Sequence, residues 1–178
     1  ISSSSFFIVL TLLAKNSELL IKDVNINPTR VGIIKILNLM NCKIKFKNKR
    51  SYKGELTADI FVKSSNNLKG INCPSYLNSS AIDEFLVIFL VAAKAQGISK
   101  FKNLSELNKK ESPRLDLAVK FLRMIGIRVK RIKNDIKIYG NPNLNLNRNF
   151  KIKDYLKDHR IFMMSCIAAL SFGGYWTI

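Results

Sequence analysis

Residues 27–49 read NPTRVGIIKILNLMNCKIKFKNK, and residues 112–130 read SPRLDLAVKFLRMIGIRVK. The two stretches share one grammar. Each opens on a small polar residue followed by proline, Asn27-Pro28 and Ser112-Pro113, which predicts a helix with the polar residue as N-cap and proline at the first helical position. Apolar residues then recur at helical spacing, Val31, Ile34, Leu37 and Met40 in one copy, Leu117, Phe121 and Met124 in the other. Asn41 and Gly126 end the pattern. Beyond each stop the period changes from 3.6 to 2: Lys43, Lys45, Lys47 and Lys49 alternate with other residues, as in a strand with one wet face, and Ile127–Lys130 with Ile136–Tyr139 reads as a strand pair.

The match extends outward from these two stretches. Before the first, Glu18–Val24 reads as a strand, and Phe6–Ala14 as a buried helix capped by the serines that precede it. Ala58–Val62 reads as a further strand. Before the second, Asp83 is the expected cap of an apolar helix over Phe85–Ala95, Gly97 its stop, and Ile98–Leu104 the strand that follows. Ile21-Lys22-Asp23-Val24 falls on Phe101-Lys102-Asn103-Leu104, a shift of roughly 80 residues. A third copy opens with Asp158-His159-Arg160 capping Ile161–Leu170, stops at Gly173-Gly174, and starts a strand at Tyr175–Ile178. The expected units are 1–67, 68–141 and 142–178, the last one cut short, within a single incomplete domain. The expected fold class is α/β (α+β), with apolar helices buried inside and sheets outside.

Composition narrows the functional classes. The chain has 178 residues, 47% of them apolar, which excludes disorder. The three cysteines, Cys42, Cys73 and Cys166, have neither the number nor the spacing of a disulfide framework or a zinc site. They fit a reducing, cytoplasmic compartment. The apolar runs Phe6–Ala14 and Phe85–Ala93 fall short of the ~20 residues that span a bilayer, so no membrane partner is expected. Lys and Arg number 30 against 12 Asp and Glu, a net charge of +18 that suggests a polyanion partner. Much of the excess is lysine on alternating strand positions, where a solvated face explains it without a nucleic acid.

Charged groups also gather where helices begin. Asp83-Glu84, Lys109-Lys110-Glu111-Ser112-Pro113-Arg114 and Asp158-His159-Arg160 each open a helix. Free N–H groups and the partial positive charge of a helix start favour anions. Lys110, Arg114 and Arg160 would strengthen such a site for phosphate or carboxylate. Carboxylates in that field can act as acid or base. The plainer readings are that Asp83 and Asp158 are only N-caps and that Glu111 and Arg114 form a surface ion pair.

Taken together, Ile1-Ser2-Ser3-Ser4-Ser5-Phe6-Phe7, Asn27-Pro28-Thr29-Arg30, Ile82-Asp83-Glu84, Lys110-Glu111-Ser112-Pro113-Arg114 and Asp158-His159-Arg160 stand in the order found in the 5-enolpyruvylshikimate-3-phosphate synthase family, which the chain resembles along its whole length. The resemblance implies repeated βαβαββ units about a pseudo-threefold axis, with a sister domain before residue 1. It implies transfer of the enolpyruvyl group of phosphoenolpyruvate to the 5-hydroxyl of shikimate 3-phosphate, with release of phosphate and with no metal or organic cofactor. By the same resemblance Asp83 contacts the shikimate hydroxyls and is the base, Lys110 holds the shikimate phosphate ester, and Glu111 delivers a proton to the methylene carbon. Arg114 and Arg160 hold phosphoenolpyruvate, and His159 and Glu106 support them. The implied partners are these two small molecules, with the full-length protein a monomer. Two positions depart from the family pattern: Pro113 stands where Asp is usual, and Asn108 where Arg is usual. The UDP-N-acetylglucosamine enolpyruvyl transferases share the implied fold, but the Lys-Glu-Ser-x-Arg and Asp-His-Arg pair is not their signature.

Overall fold

Three apolar helices form the centre of the molecule. In the computed structural model, which describes residues 1–153 and 157–178, α1 (Ser2–Leu13), α4 (Phe85–Lys94) and α6 (His159–Phe172) pack against one another. Every residue of α4 from Phe85 to Ala93 is buried, as expected of a helix with no polar stripe. Phe85, Phe89 and Phe101 meet at centroid separations of 5.3–5.8 Å, close enough for edge-on aromatic packing. Two further helices, α2 (Gly32–Leu39) and α5 (Arg114–Met124), lie against α4. A short helix, α3 (Asn78–Ala81), leads toward α4.

The sheets carry the repeat. β1 (Glu18–Asn25), β2 (Lys43–Tyr52) and β3 (Glu55–Lys63) form an antiparallel sheet in the order β1-β3-β2. β4 (Ile98–Phe101), β5 (Arg128–Ile132) and β6 (Asp135–Tyr139) form a second in the same relative order, β4-β6-β5. The equivalence reaches single residues. Asp23 and Asn103 both take a left-handed backbone, with φ of 57° and 59°. The N–H of each donates to an aspartate of its unit's last strand, Asp59 and Asp135 respectively, at 3.0 Å. The helix ends match too. Asn41 and Gly126 both have positive φ, and the N–H groups of Cys42 and Ile127 donate back to Leu37 and Leu122 in the same C-terminal motif. The third unit supplies β7 (Leu146–Lys151) paired in parallel with β8 (Gly173–Thr177) across α6. The second unit repeats that crossover in miniature, with parallel bridges from Lys69 to Gln96 and from Asn72 to Lys100.

Several helix starts differ from the sequence expectation. The serines do not cap α1: the helix already includes them, and its N-cap position is Ile1 with no side-chain bond. Asn27-Pro28 does not open α2. Its residues form a separate turn in which Asn27 Oδ1 accepts from the Thr29 N–H, and the helix begins at Gly32. Ser112 does not cap α5, nor does Pro113 enter it. Pro113 has φ −72° and ψ 71°, and the Arg114 N–H donates to the Ser112 carbonyl at 2.7 Å, an inverse γ-turn ahead of the first helical residue. The expected strand Ile98–Leu104 stops at Phe101, because Asn103 turns left-handed. β7 and the bridge residues 69–72 have weak apolar patterns and escape periodicity. No helix among the described residues is long and apolar enough to cross a membrane.

Candidate functional site

The N-termini of α1, α4 and α6 point to one end of the molecule, and the start of α5 lies beside them. Asp83 was expected to cap α4, but the cap position belongs to Glu84, whose side chain makes no cap hydrogen bond. The Asp83 carboxylate instead faces four cations from three segments of the chain. Lys110 Nζ lies 3.4 Å from it, Arg114 Nη1 3.6 Å, and Arg30 Nη2 and Arg160 Nη2 3.9 Å each. These separations allow Coulomb attraction without a tight hydrogen bond, so the carboxylate keeps acceptor capacity.

Arg114 is the most enclosed of the four, with a side chain only 3% exposed. Its Nε donates to Asp158 Oδ2 at 2.8 Å, and its Nη2 stands 3.3 Å from Glu111 Oε2. Asp158 does cap α6 as expected, accepting from the N–H groups of Arg160 and Ile161. It also accepts the Ser112 hydroxyl at 2.7 Å. Burial alone would raise the Asp158 pKa. The bonds from Arg114, Ser112 and the Arg160 backbone outweigh it and hold the carboxyl below its ordinary value. One buried carboxylate thus ties the start of α5 to the start of α6.

On the open side, His159 Nδ1 lies 3.1 Å from Glu111 Oε2, both residues being largely exposed. Arg160 donates from Nη1 to the Asp83 carbonyl at 2.8 Å. The start of α5 is capped from outside: Asn108 Oδ1 accepts from the Leu115 N–H at 2.9 Å, so the departure from Arg at this position acquires a local role. The departure at Pro113 leaves Arg114 without a carboxylate next in sequence, and Asp158, Asp83 and Glu111 supply its partners.

The structure therefore brings together Asp83, Lys110, Glu111, Arg114, His159 and Arg160. Glu106 is exposed in the 3-10 turn Ser105–Lys109 and takes no part in these ion pairs among the described residues. Sequence reasoning placed Arg30, Glu84, Ser2 and Ser112 in its motifs but gave none of them a role in the cluster. Ser2 and Ser112 were read as helix caps, and only packing brings the four to the site. Glu111, Asp158 and His159 hold ligand-type atoms within 4.8 Å of one another, but Arg114 bonds Asp158 and adjoins Glu111, so a metal cation would have to displace a guanidinium. Burial pushes the Cys42 and Cys73 thiols up to about 12 and about 11, so neither is a thiolate nucleophile at neutral pH.

Such a cluster can orient anions, hold a hydroxyl beside a carboxylate and pass protons through the Glu111–His159 pair. The chain that carries it is similar to known proteins along its length. The chain is 39% identical over 170 residues to the 3-phosphoshikimate 1-carboxyvinyltransferase of Ruthia magnifica subsp. Calyptogena magnifica, covering 96% of the chain and 38% of that protein. It is 39% identical over 178 residues to the same-named protein of Geobacter metallireducens, covering all of the chain and 40% of the relative. An EPSP synthase structure from Acinetobacter baumannii superposes with a TM-score of 0.90 at 34% identity, over 96% of this chain and 39% of that one. The enolpyruvyl transferase NikO from Streptomyces tendae shares the fold, with a TM-score of 0.63 at 15% identity over 98% of this chain and 37% of that one. The chain thus spans 38–40% of the length of these curated relatives. With its residues 1–178 matched throughout, the chain belongs to the EPSP synthase (3-phosphoshikimate 1-carboxyvinyltransferase) family.

Proposed function

We propose that this chain is part of an enzyme that transfers the enolpyruvyl group of phosphoenolpyruvate to the 5-hydroxyl of shikimate 3-phosphate and releases phosphate. One observation carries the reading: the Asp83 carboxylate, ringed by Arg30, Lys110, Arg114 and Arg160 at 3.4–3.9 Å, with the Glu111–His159 pair beside it. Both substrates are multiply anionic, and their phosphate and carboxylate groups suit guanidinium and ammonium donors. Arg114 and Arg160 would hold phosphoenolpyruvate and Lys110 the shikimate phosphate. Asp83 would accept the 5-hydroxyl proton as its oxygen bonds to C2 of phosphoenolpyruvate, while Glu111 protonates the methylene carbon. The product still carries a carbon–carbon double bond. The proton added to that carbon must therefore leave again as the C2–phosphate bond breaks, and a carboxyl paired with a histidine can give and take it.

The charge balance supports a further part of this reading. Among the described residues, Arg30, Lys110, Arg114 and Arg160 face four carboxylates, Asp83, Glu84, Glu111 and Asp158, so these four cations are already matched in charge before two anions bind. We therefore read residues 1–178 as an incomplete domain with approximate units 1–67, 68–141 and 142–178. Its partner surface lies in the rest of a protein that works as a cytoplasmic monomer, and this chain alone would be inactive. Transfer to UDP-N-acetylglucosamine is less supported, since the relatives above carry the shikimate name.

Release of inorganic phosphate by the full-length protein, measured with both substrates and with each alone, tests the assignment. Phosphate is expected only when both are present. An Asp83→Asn protein with near-normal turnover, or no turnover in the parent, would sink it.

A further inference from the structure

The proposed reaction gives no task to two acids of the cluster: Asp158, which caps α6 and holds Arg114, and Glu84, whose environment is unusual. It is 3% exposed, and no bond from its side chain caps the helix it precedes. The Ser2 hydroxyl donates to its Oε1 at 2.6 Å. The nearest cation in its field is Arg160, whose Nη1 lies 4.0 Å from the same oxygen. That Nη1 already donates to the Asp83 carbonyl at 2.8 Å. One edge of the Arg160 guanidinium is therefore bracketed by the Asp83 carbonyl and the Glu84 carboxyl. Its other nitrogen, Nη2, remains near the Asp83 carboxylate at 3.9 Å.

The line from Ser2 through Glu84 to Arg160 joins the starts of α1, α4 and α6, the three central helices. Packing alone does not call for an acid here. A carboxylate taken out of water with one hydroxyl donor is costly, and an amide or an apolar group of the same size would fill the space at lower cost. What the acid adds is a field on Arg160.

We infer that Glu84 is a positioning residue: its carboxylate, held by Ser2, fixes the Arg160 guanidinium against the Asp83 carbonyl and so sets the grip on the carboxylate and phosphate of the enolpyruvyl donor. The inference rests on the reaction proposed above. It also carries a pH dependence. The charged and titratable groups facing Glu84 are Asp83 on its own turn, Arg160 from α6 and Arg30 from the turn ahead of α2. Burial is the strongest influence and raises the Glu84 carboxyl above its ordinary range; Ser2 and Arg160 pull it back only in part. Glu84 therefore takes up its proton at a higher pH than an exposed glutamate. Arg160 then loses one of its two anionic neighbours, keeping only the Asp83 carboxylate, and donor affinity falls. A raised folded pKa also means that the native state binds the extra proton. The stability tied to Glu84 thus declines as pH rises through that window, and a neutral side chain does not destabilise the fold at neutral pH.

The test uses the full-length protein with Glu84→Gln, which keeps the size and a hydrogen-bonding group, and with Ser2→Ala. For Glu84→Gln the phosphoenolpyruvate KM is expected to rise on the order of tenfold. The shikimate 3-phosphate KM and kcat should stay within about twofold. The wild-type rise in phosphoenolpyruvate KM toward acid pH should vanish in Glu84→Gln, and Ser2→Ala should shift the same KM by less. Unchanged donor KM and pH profile overturn the inference. So does a joint loss of both KM values, kcat and thermal midpoint, which marks a merely structural role. A crystal structure of Glu84→Gln gives a readout independent of turnover: Arg160 is expected to leave the Asp83 carbonyl, and an unmoved guanidinium overturns the inference. If the wild-type protein releases no phosphate, the reaction assignment fails, and the Arg160 position alone decides the role of Glu84.

Discussion

Two groups of cations in this chain behave in opposite ways. Arg114 is buried at the start of α5 and reaches three carboxylates, Asp158, Asp83 and Glu111. The lysines of the outer sheets are largely solvated, and where one meets an acid, as Lys63 meets Glu18 at 2.6 Å, the pair is exposed. On the second sheet Lys100, Lys137 and Lys130 stand abreast across β4, β6 and β5. On the first, Lys43 and Lys45 project from the edge strand β2, where charge discourages pairing with another chain. The difference teaches that a net charge of +18 says little about function. Burial and the partners brought to a cation decide what it does, and the buried Arg114 and the partly buried Arg160 matter more than the many lysines.

Turnover should break or uphold that comparison most visibly. Glu111→Gln in the full-length protein is expected to lower phosphate release by about 10²–10⁴-fold, the usual loss for a proton-transferring group, with little change in thermal midpoint because Glu111 is largely exposed. Next comes Asp158→Asn. Removing the charge opposite a buried Arg114 is expected to cost about 3–5 kcal/mol in chemical denaturation. Because the folded pKa of Asp158 lies below the ordinary value of about 4, its contribution is complete at neutral pH. It is lost only as pH falls from that value through the folded one, so Asp158→Asn should flatten the acid limb of the stability curve. The smallest effects belong to the sheet. Lys137→Glu is expected to stabilise by about 0.5 kcal/mol, since like charges directly opposite each other are unfavourable, and the gain should fade in salt. Lys45→Gln should change stability by less than about 0.5 kcal/mol. If lysine substitutions on the sheets abolished a tight, steeply salt-dependent binding to DNA or RNA, the solvated-face reading would fail.

Much of the fold is legible from the sequence because its signals are local. The change of period from 3.6 to 2 at Asn41 and at Gly126 marks a helix end and a strand start, and both residues take the left-handed backbone such stops require. Phe85–Ala93 is apolar at every position and lies in the centre. The candidate site was half legible. The residues of the Lys110–Arg114 and Asp158–Arg160 motifs do converge, but the role of each polar group at a helix start was not readable from its position. Asp83 and Ser112 stand where caps stand, and neither caps. Asp158 does, and it serves Arg114 and Ser112 as well.

By itself the sequence determined most of the elements, their repetition and the family, since these depend on spacings within a few turns of chain and on motif order; β7 and the exact starts of α1, α2 and α5 were beyond it. The tertiary structure alone decided which charges meet. Arg114 lies 44 residues from Asp158, Arg160 lies 77 from Asp83, and Ser2 lies 82 from Glu84. Such pairs form only because three apolar helices pack with their starts at one end. Desolvation and Coulomb energy depend on what surrounds a group in space, which no local pattern of residues records.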